Sequence, residues 1–224
     1  MAKKKLTQLS LIIAKAEKFA EIESTFDNPT LYGITDGKAV GTYLEHKFKE
    51  QLEKTYEVGG SSANGLDIPS ANVDIKVTSI KQPQSSCPFK SASQKIYGLG
   101  YNLLLFVYEK KDDTKTQTSR LNILHSVLVE KERTGDYQMT KIIREIVSNK
   151  GNVDDLIGCF FDRNLPVDEI EAKALAEKIL QDTPQQGYLT ISNALQWRLQ
   201  YSRVVEVAGK ISGINLIRGG ENEF

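Results

Sequence analysis

Gly65-Leu66-Asp67-Ile68-Pro69-Ser70-Ala71-Asn72-Val73-Asp74-Ile75-Lys76-Val77 is the stretch that decides the fold of this 224-residue chain. It reads as a strand end, a tight turn and a second strand. Val73, Ile75 and Val77 alternate with Asp74 and Lys76, the period-two pattern of a half-buried strand. Alternation sets Asp74 and Lys76 on one face and the three apolar residues on the other. Pro69 cannot donate to a ladder and suits the turn, with Ser70 and Asn72 as turn formers. Folding back at that turn brings Asp67 toward Asp74. Two carboxylates and one ammonium then share a point. Carboxylates so close repel unless a cation lies between them. Hard oxygen donors suit Mg²⁺, which can activate water and neutralise charge on a phosphoryl oxygen.

Moving outward toward the N-terminus, Gly37 to Lys54 is expected to be a helix, with Val40, Tyr43, Leu44, Phe48 and Leu52 on one side. Glu45 lies beside that apolar stripe. Two readings stay open for it: a solvated helix residue, or a ligand held over the strand pair that follows. Before it, Leu6, Leu9, Ile12, Ile13, Ala16, Phe19, Ala20 and Ile22 recur at helical spacing. Asp27-Asn28-Pro29 ends that helix as a turn.

Toward the C-terminus comes a polar piece, Thr78 to Ser93, with Lys81 and Gln82 at its start. It is either a surface linker or a loop that meets a substrate next to the proposed site. Ser93 to Tyr101 is expected as a short helix capped by Ser93. Leu103 to Tyr108 is a continuous apolar run of strand length, expected to be buried on both faces. Leu121 to Val129 follows as a strand, with His125 inside it read as a satisfied strand histidine, the alternative being a base. Helices are expected over Thr140 to Asn149 and Val167 to Gln181; Asp168, Glu169 and Glu171 favour the start of the second. Ser192 is expected to cap a last helix, Asn193 to Ala208. With the turn at Thr183 to Gly187, that helix offers Arg198, Gln200 and Arg203 as a DNA-reading unit of helix-turn-helix type. The bland alternative is an amphipathic helix packing through Leu195, Leu199 and Val205.

The tripeptide acid-x-Lys is common in this chain and carries nothing alone; it also occurs at Asp36/Lys38, Glu45/Lys47 and Glu171/Lys173. Only Asp74/Lys76 adds an apolar opposite face, a preceding Asp across a turn, a helix before and a helix plus buried strand after. That order resembles the PD-(D/E)xK nuclease superfamily over about Gly37 to Tyr108, and the chain's size and unfamiliar additions resemble a type II restriction endonuclease. The resemblance matches Asp67 to the first acid, Asp74 to the second, Lys76 to the lysine and Glu45 to the helix acid that some members add. Leu66 stands where the motif has proline, and Asp74 where Glu is commoner. It implies an α/β (α+β) fold: a mixed central sheet with flanking helices, plus a helical C-terminal region. Residues 1–135 would hold the N-terminal helix and the catalytic core, and 136–224 a mainly helical part that reads DNA or dimerises, or that forms one continuous domain with the core. It further implies Mg²⁺ held by Asp67 and Asp74, a double-stranded DNA substrate, a homodimer, and 5′-phosphate and 3′-hydroxyl products. Lys81, Gln82, Arg198, Gln200 and Arg203 are the candidate DNA contacts. A structure-selective repair nuclease and a non-catalytic DNA-binding protein are the alternatives.

Composition sets the outer limits. Lys and Arg total 29 against 29 Asp and Glu, so the whole molecule is not a generic polyanion binder. Charge is nonetheless uneven: acids dominate Asp154 to Asp182, and basic residues dominate Pro184 to Arg218. Two cysteines and two histidines, far apart, exclude a zinc cluster of standard spacing. Reduced thiols suit a cytoplasmic protein. No apolar run is long enough to span a bilayer, and Met1 to Ala14 imitates a signal peptide only faintly.

Overall fold

A computed structural model describes residues 3–59, 65–88, 90–192 and 197–219. In chain order its elements are β1 (Lys4–Lys5), α1 (Leu9–Thr25), β2 (Asp27–Asn28), α2 (Gly37–Glu53), β3 (Tyr56–Glu57), β4 (Val73–Ser79), β5 (Gln84–Cys87), α3 (Gln94–Tyr97), β6 (Asn102–Asp113) and β7 (Thr118–Val129). There follow α4 (Tyr137–Ser148), α5 (Val153–Asp162), α6 (Glu169–Gln181), β8 (Thr190–Ile191), β9 (Trp197–Gln200), α7 (Ser202–Val207) and β10 (Ile214–Arg218). The chain divides into two compact units: residues 1–84, 102–129 and 205–224, and residues 85–101 and 130–204.

The first unit is built on a mixed sheet in the order β10-β7-β6-β4, with β2 also paired to β7. β4 and β6 run parallel, with Asp74 opposite Leu103 and Lys76 opposite Leu105. β6 and β7 form a long antiparallel hairpin reaching Asp113 and Thr118, longer at the β6 end than the apolar run alone suggests. Leu103 through Tyr108 are all buried, as a strand covered on both faces requires. Phe19 of α1, Phe48 of α2 and Phe106 of β6 close a triangle of ring centroids at 5.1, 5.6 and 5.5 Å. This cluster seats both helices on the sheet.

α2 forms where the apolar spacing places it, and Asp36 caps it by accepting from Lys38 N. α1 carries its buried residues, Ile12, Ala16, Phe19 and Ala20, on one stripe. None of the helices among the described residues is long and apolar enough to cross a membrane.

The second unit has its own core of Ile96, Met139, Ile143, Leu156, Phe160, Leu175 and Ile179. α5 was not foreseen, although its start is written in the sequence: Asn152 and Asp155 form a reciprocal capping box. α6 begins as expected, with Asp168 accepting from Glu171 N. α3 is shorter than expected and Ser93 makes no capping bond. The helix expected over Asn193 to Ala208 does not form. Residues 193–196 lie outside the described residues, Trp197–Gln200 is a strand, and only Ser202–Val207 is helical. A helix-turn-helix is therefore excluded there. Burial alternates along β9, with Trp197 and Leu199 in and Arg198 and Gln200 out. That period of two outweighed the four-residue spacing of Leu195 and Leu199.

Candidate active site

The site is assembled within the first unit by one turn, one strand and one helix. Ile68 and Val73 exchange both backbone hydrogen bonds, N to O at 2.9 and 3.2 Å. Between them Pro69–Ala71 makes a single 3-10 turn, and Asn72 adopts the left-handed region at φ 54°. Asn tolerates that conformation because its short polar side chain is compatible with it. Asn102, the first residue of β6, donates from Nδ2 to the Asn72 carbonyl at 3.1 Å and clasps the turn to the sheet. Ser70 donates to the Leu6 carbonyl at 2.6 Å from the other side.

This closed turn delivers Asp67 onto β4. Its Oδ2 accepts from Ile75 N at 2.9 Å, between the two residues it must join. Asp67 lies close enough to Asp74 for its carboxyl to add to the rise that burial causes in the Asp74 pKa. Lys76 Nζ lies 2.7 Å from Asp74 Oδ2. The strand therefore does not present Asp74 and Lys76 on an open face. Asp74 is only 6 % exposed, and the ion pair is largely withdrawn from water.

α2 supplies the remaining groups. Glu45 feels Asp67, Lys76, Asp74 and Lys49, and so belongs to the same charge cluster. Of its two readings the solvated-surface one fits poorly, because Glu45 is half-buried. Lys49, one turn further along, pairs with Asp67 Oδ1 at 3.4 Å. Sequence reading missed Lys49. Its signal was the i, i+4 spacing from Glu45, which puts both on the helix edge facing β4.

Burial and like charge raise the acids. Burial, then Asp67 and Asp74, push the Glu45 carboxyl up to about 7 against the pull of Lys76 and Lys49. Burial also raises Asp74, to about 6, with the Asp67 carboxyl adding to the effect and Lys76 opposing it. For Lys76 burial acts downward, yet Asp74, Glu45 and Asp67 prevail and hold the ammonium above its ordinary value. The cluster thus keeps its lysine charged, while Glu45 holds its proton up to about pH 7 and Asp74 up to about pH 6.

The donor set can be tested against a metal. No trio of His, Cys, Asp or Glu among the described residues converges to hold an ion. What is present is a pair of neighbouring carboxyls, oxygen donors only, in a half-buried place. Mg²⁺ is ordinarily held by one or two carboxylates, with waters and substrate phosphate completing its shell. Asp67 and Asp74 fit that pattern.

The expected DNA contacts fall elsewhere. Lys81 and Gln82 are exposed on the turn after β4. Arg198 and Gln200 point outward from β9. Arg203 is different: its guanidinium lies 3.9 Å from the centroid of the Tyr137 ring. The structure brings Glu45, Asp67, Asp74 and Lys76 together, and the DNA-contact candidates are not part of that cluster.

Comparison with known proteins follows the same lines. A family model described as "Type II restriction enzyme NspV" matches residues 5–216. A curated protein from Nostoc sp. (strain ATCC 29411 / PCC 7524), named Type II restriction enzyme NspV, is 61 % identical over 201 residues, covering 89 % of this chain and 91 % of that one. No solved structure matches.

Proposed function

Because this chain belongs to the family of the type II restriction enzyme NspV, we propose that its Asp67–Asp74–Lys76 cluster is the centre at which it cuts double-stranded DNA. The chain is a type II site-specific deoxyribonuclease. That assignment displaces the structure-selective nuclease and the non-catalytic DNA-binding protein. The observation that carries the site assignment is the Asp67 carboxylate bonded to the Ile75 amide, between an Asp74 and a Lys76 that form a 2.7 Å ion pair largely withdrawn from water.

Asp67 and Asp74 would hold Mg²⁺, which when bound lowers the pKa of a water and offsets charge on the phosphate. Everything else falls to the protein's own groups. Ile75 N fixes the Asp67 carboxylate, so that its orientation is set before substrate arrives. Lys76, kept charged by its acidic neighbours, orients the attacking water and stabilises the negative charge that develops on the scissile phosphate. Glu45 sits where it can hold a proton near neutral pH. The water oxygen bonds to phosphorus, the bond to the 3′ oxygen breaks, and that oxygen takes up a proton. The products are a 5′-phosphate and a 3′-hydroxyl.

A homodimer is part of the proposal, since two copies related by a two-fold axis place one site on each strand of a palindrome. Cytoplasmic residence is proposed from two buried free thiols. Lys81 and Gln82 are proposed as DNA contacts beside the cut. The test is a digest of long unmethylated duplex DNA with Mg²⁺, beside Asp74→Ala and a chelator control. Discrete fragments from the wild type alone are expected, with Asp74→Ala slower by about a thousandfold or more. An Asp74→Ala protein that cuts at the wild-type rate would sink the site assignment.

A further inference from the structure

We propose that the outward face of β9, the middle strand of the β5-β9-β8 sheet, is a sequence reader. In this reading Arg198 and Gln200 hydrogen-bond the major-groove edges of a guanine and an adenine. The inference rests on the family's activity and not on the Asp67–Asp74–Lys76 assignment.

Within that sheet β8 and β9 have two chemically distinct faces. Ile191, Trp197 and Leu199 are buried on one side, while Thr190, Arg198 and Gln200 are exposed on the other. Thr190 stands directly across from Gln200 in the antiparallel register, and facing residues share a face. The backbone of Arg198 is fixed twice, donating to Ser192 Oγ at 3.0 Å and accepting from Ser192 N at 3.1 Å. The presenting strand is therefore held while the side chains reach outward.

Charge points to the partner. Residues 184–204 contain no Asp or Glu, although acids crowd the chain just before, from Asp154 to Asp182. An acid-free stretch with arginine on its exposed face suits a polyanion. The side chains go further than charge. A phosphate binder needs only lysine or arginine, whereas Gln beside Arg matches the bidentate codes for adenine and guanine.

Spacing agrees with a groove. Outward residues on a strand recur every second position, about 6.6–6.8 Å apart. Base pairs repeat at about 3.4 Å, so Arg198 and Gln200 span about two base-pair steps. β9 is the middle strand of a three-stranded sheet in the order β5-β9-β8, so both side chains stand at the centre of its outward face. Arg203 is set aside from this role by its contact with the Tyr137 ring and by a buried Nε with no hydrogen-bond partner. It pins α7.

The experiment uses base analogues. Wild-type digestion first gives the recognition site from its fragment ends. The wild type, Arg198→Ala, Arg198→Lys and Gln200→Ala are then compared on that duplex, and on duplexes carrying 7-deazaguanine or 7-deazaadenine at one position at a time. These analogues remove only the N7 acceptor in the major groove. For the wild type, one guanine and one adenine position should each lower kcat/KM about tenfold or more. Arg198→Ala should be about ten- to a hundredfold slower on the natural site and indifferent to the guanine analogue. Gln200→Ala should show the same pattern for the adenine analogue. Arg198→Lys keeps the charge but not the fork, and should behave like Arg198→Ala at that guanine. The reader assignment is overturned if the variants cut the natural site at the wild-type rate, if they retain full sensitivity to the analogues, or if Arg198→Lys matches the wild type. An Asp74→Ala protein that still cuts would instead overturn the catalytic assignment and leave this test intact.

Discussion

The charge cluster on β4 and the outward face of β9 handle polar groups in opposite ways. On β4 the groups are withdrawn from water, in contact with one another, and shifted in acidity. On β9 Arg198 and Gln200 stand in solvent. The difference fits the role proposed for each. Phosphoryl chemistry needs charges already aimed and partly desolvated, so that little rearranges as the reaction proceeds. Base recognition needs donors and acceptors left open until the right sequence supplies their partners, since an unmatched group then costs affinity.

The largest effect that would sharpen this contrast is expected at Lys76. Lys76→Ala should lower kcat by about a hundred- to a thousandfold with DNA affinity little changed, read from single-turnover cleavage and from binding in chelator. A fall in affinity with kcat preserved would make Lys76 a contact of the β9 kind and break the comparison.

A middle-sized effect is expected in pH dependence. Glu45 and Asp74 bind their protons more tightly in the folded chain than the ordinary carboxyl does, with values of about 7 and about 6. Protonation therefore stabilises the metal-free fold fully below about pH 4. That contribution is lost as pH rises through about 6 to 7. Metal binding needs the carboxylates ionised, so cleavage at limiting Mg²⁺ should rise over the same window. The thermal midpoint of metal-free protein should fall between pH 5 and 8, and Glu45→Gln should flatten the fall. A midpoint that rises with pH would mean that burial and like charge do not make the fold hold these protons more tightly.

The smallest effect is a null result with content. Gln200→Ala should change folding stability by no more than about 0.5 kcal/mol in denaturant titration, as exposed positions generally do. A larger loss would show that this residue belongs to the fold rather than to recognition.

The same contrast explains what could be read in advance. The β4 site is local: Asp67 and Asp74 are joined by a turn of Pro, Ser and Asn, and Asp74 and Lys76 by strand alternation, so spacing alone foretold their meeting. Glu45 required only that a helix precede the strands. Its partner Lys49 was overlooked because a lysine on a helix is ordinarily solvated. The β6 run was legible as a buried strand because nothing polar interrupts Leu103 to Tyr108. The C-terminal part was not legible in this way. Trp197-Arg198-Leu199-Gln200 is too short for a period of two to be told from one of 3.6, and Leu195 and Leu199 happened to suit a helix. Tertiary pairing with β8 decided it.

One consequence of the turn at Asp67 concerns solubility. β4 is the last strand of its sheet, and strands in that position offer free backbone groups to other molecules. Here Ile68 covers one end of the rim by its paired bonds to Val73, and the Asp67 carboxylate occupies the amide of Ile75. The side chain assigned to metal therefore also shields the strand against self-association. Loss of that carboxylate would open a template for aggregation at the same point where it removes a proposed metal ligand.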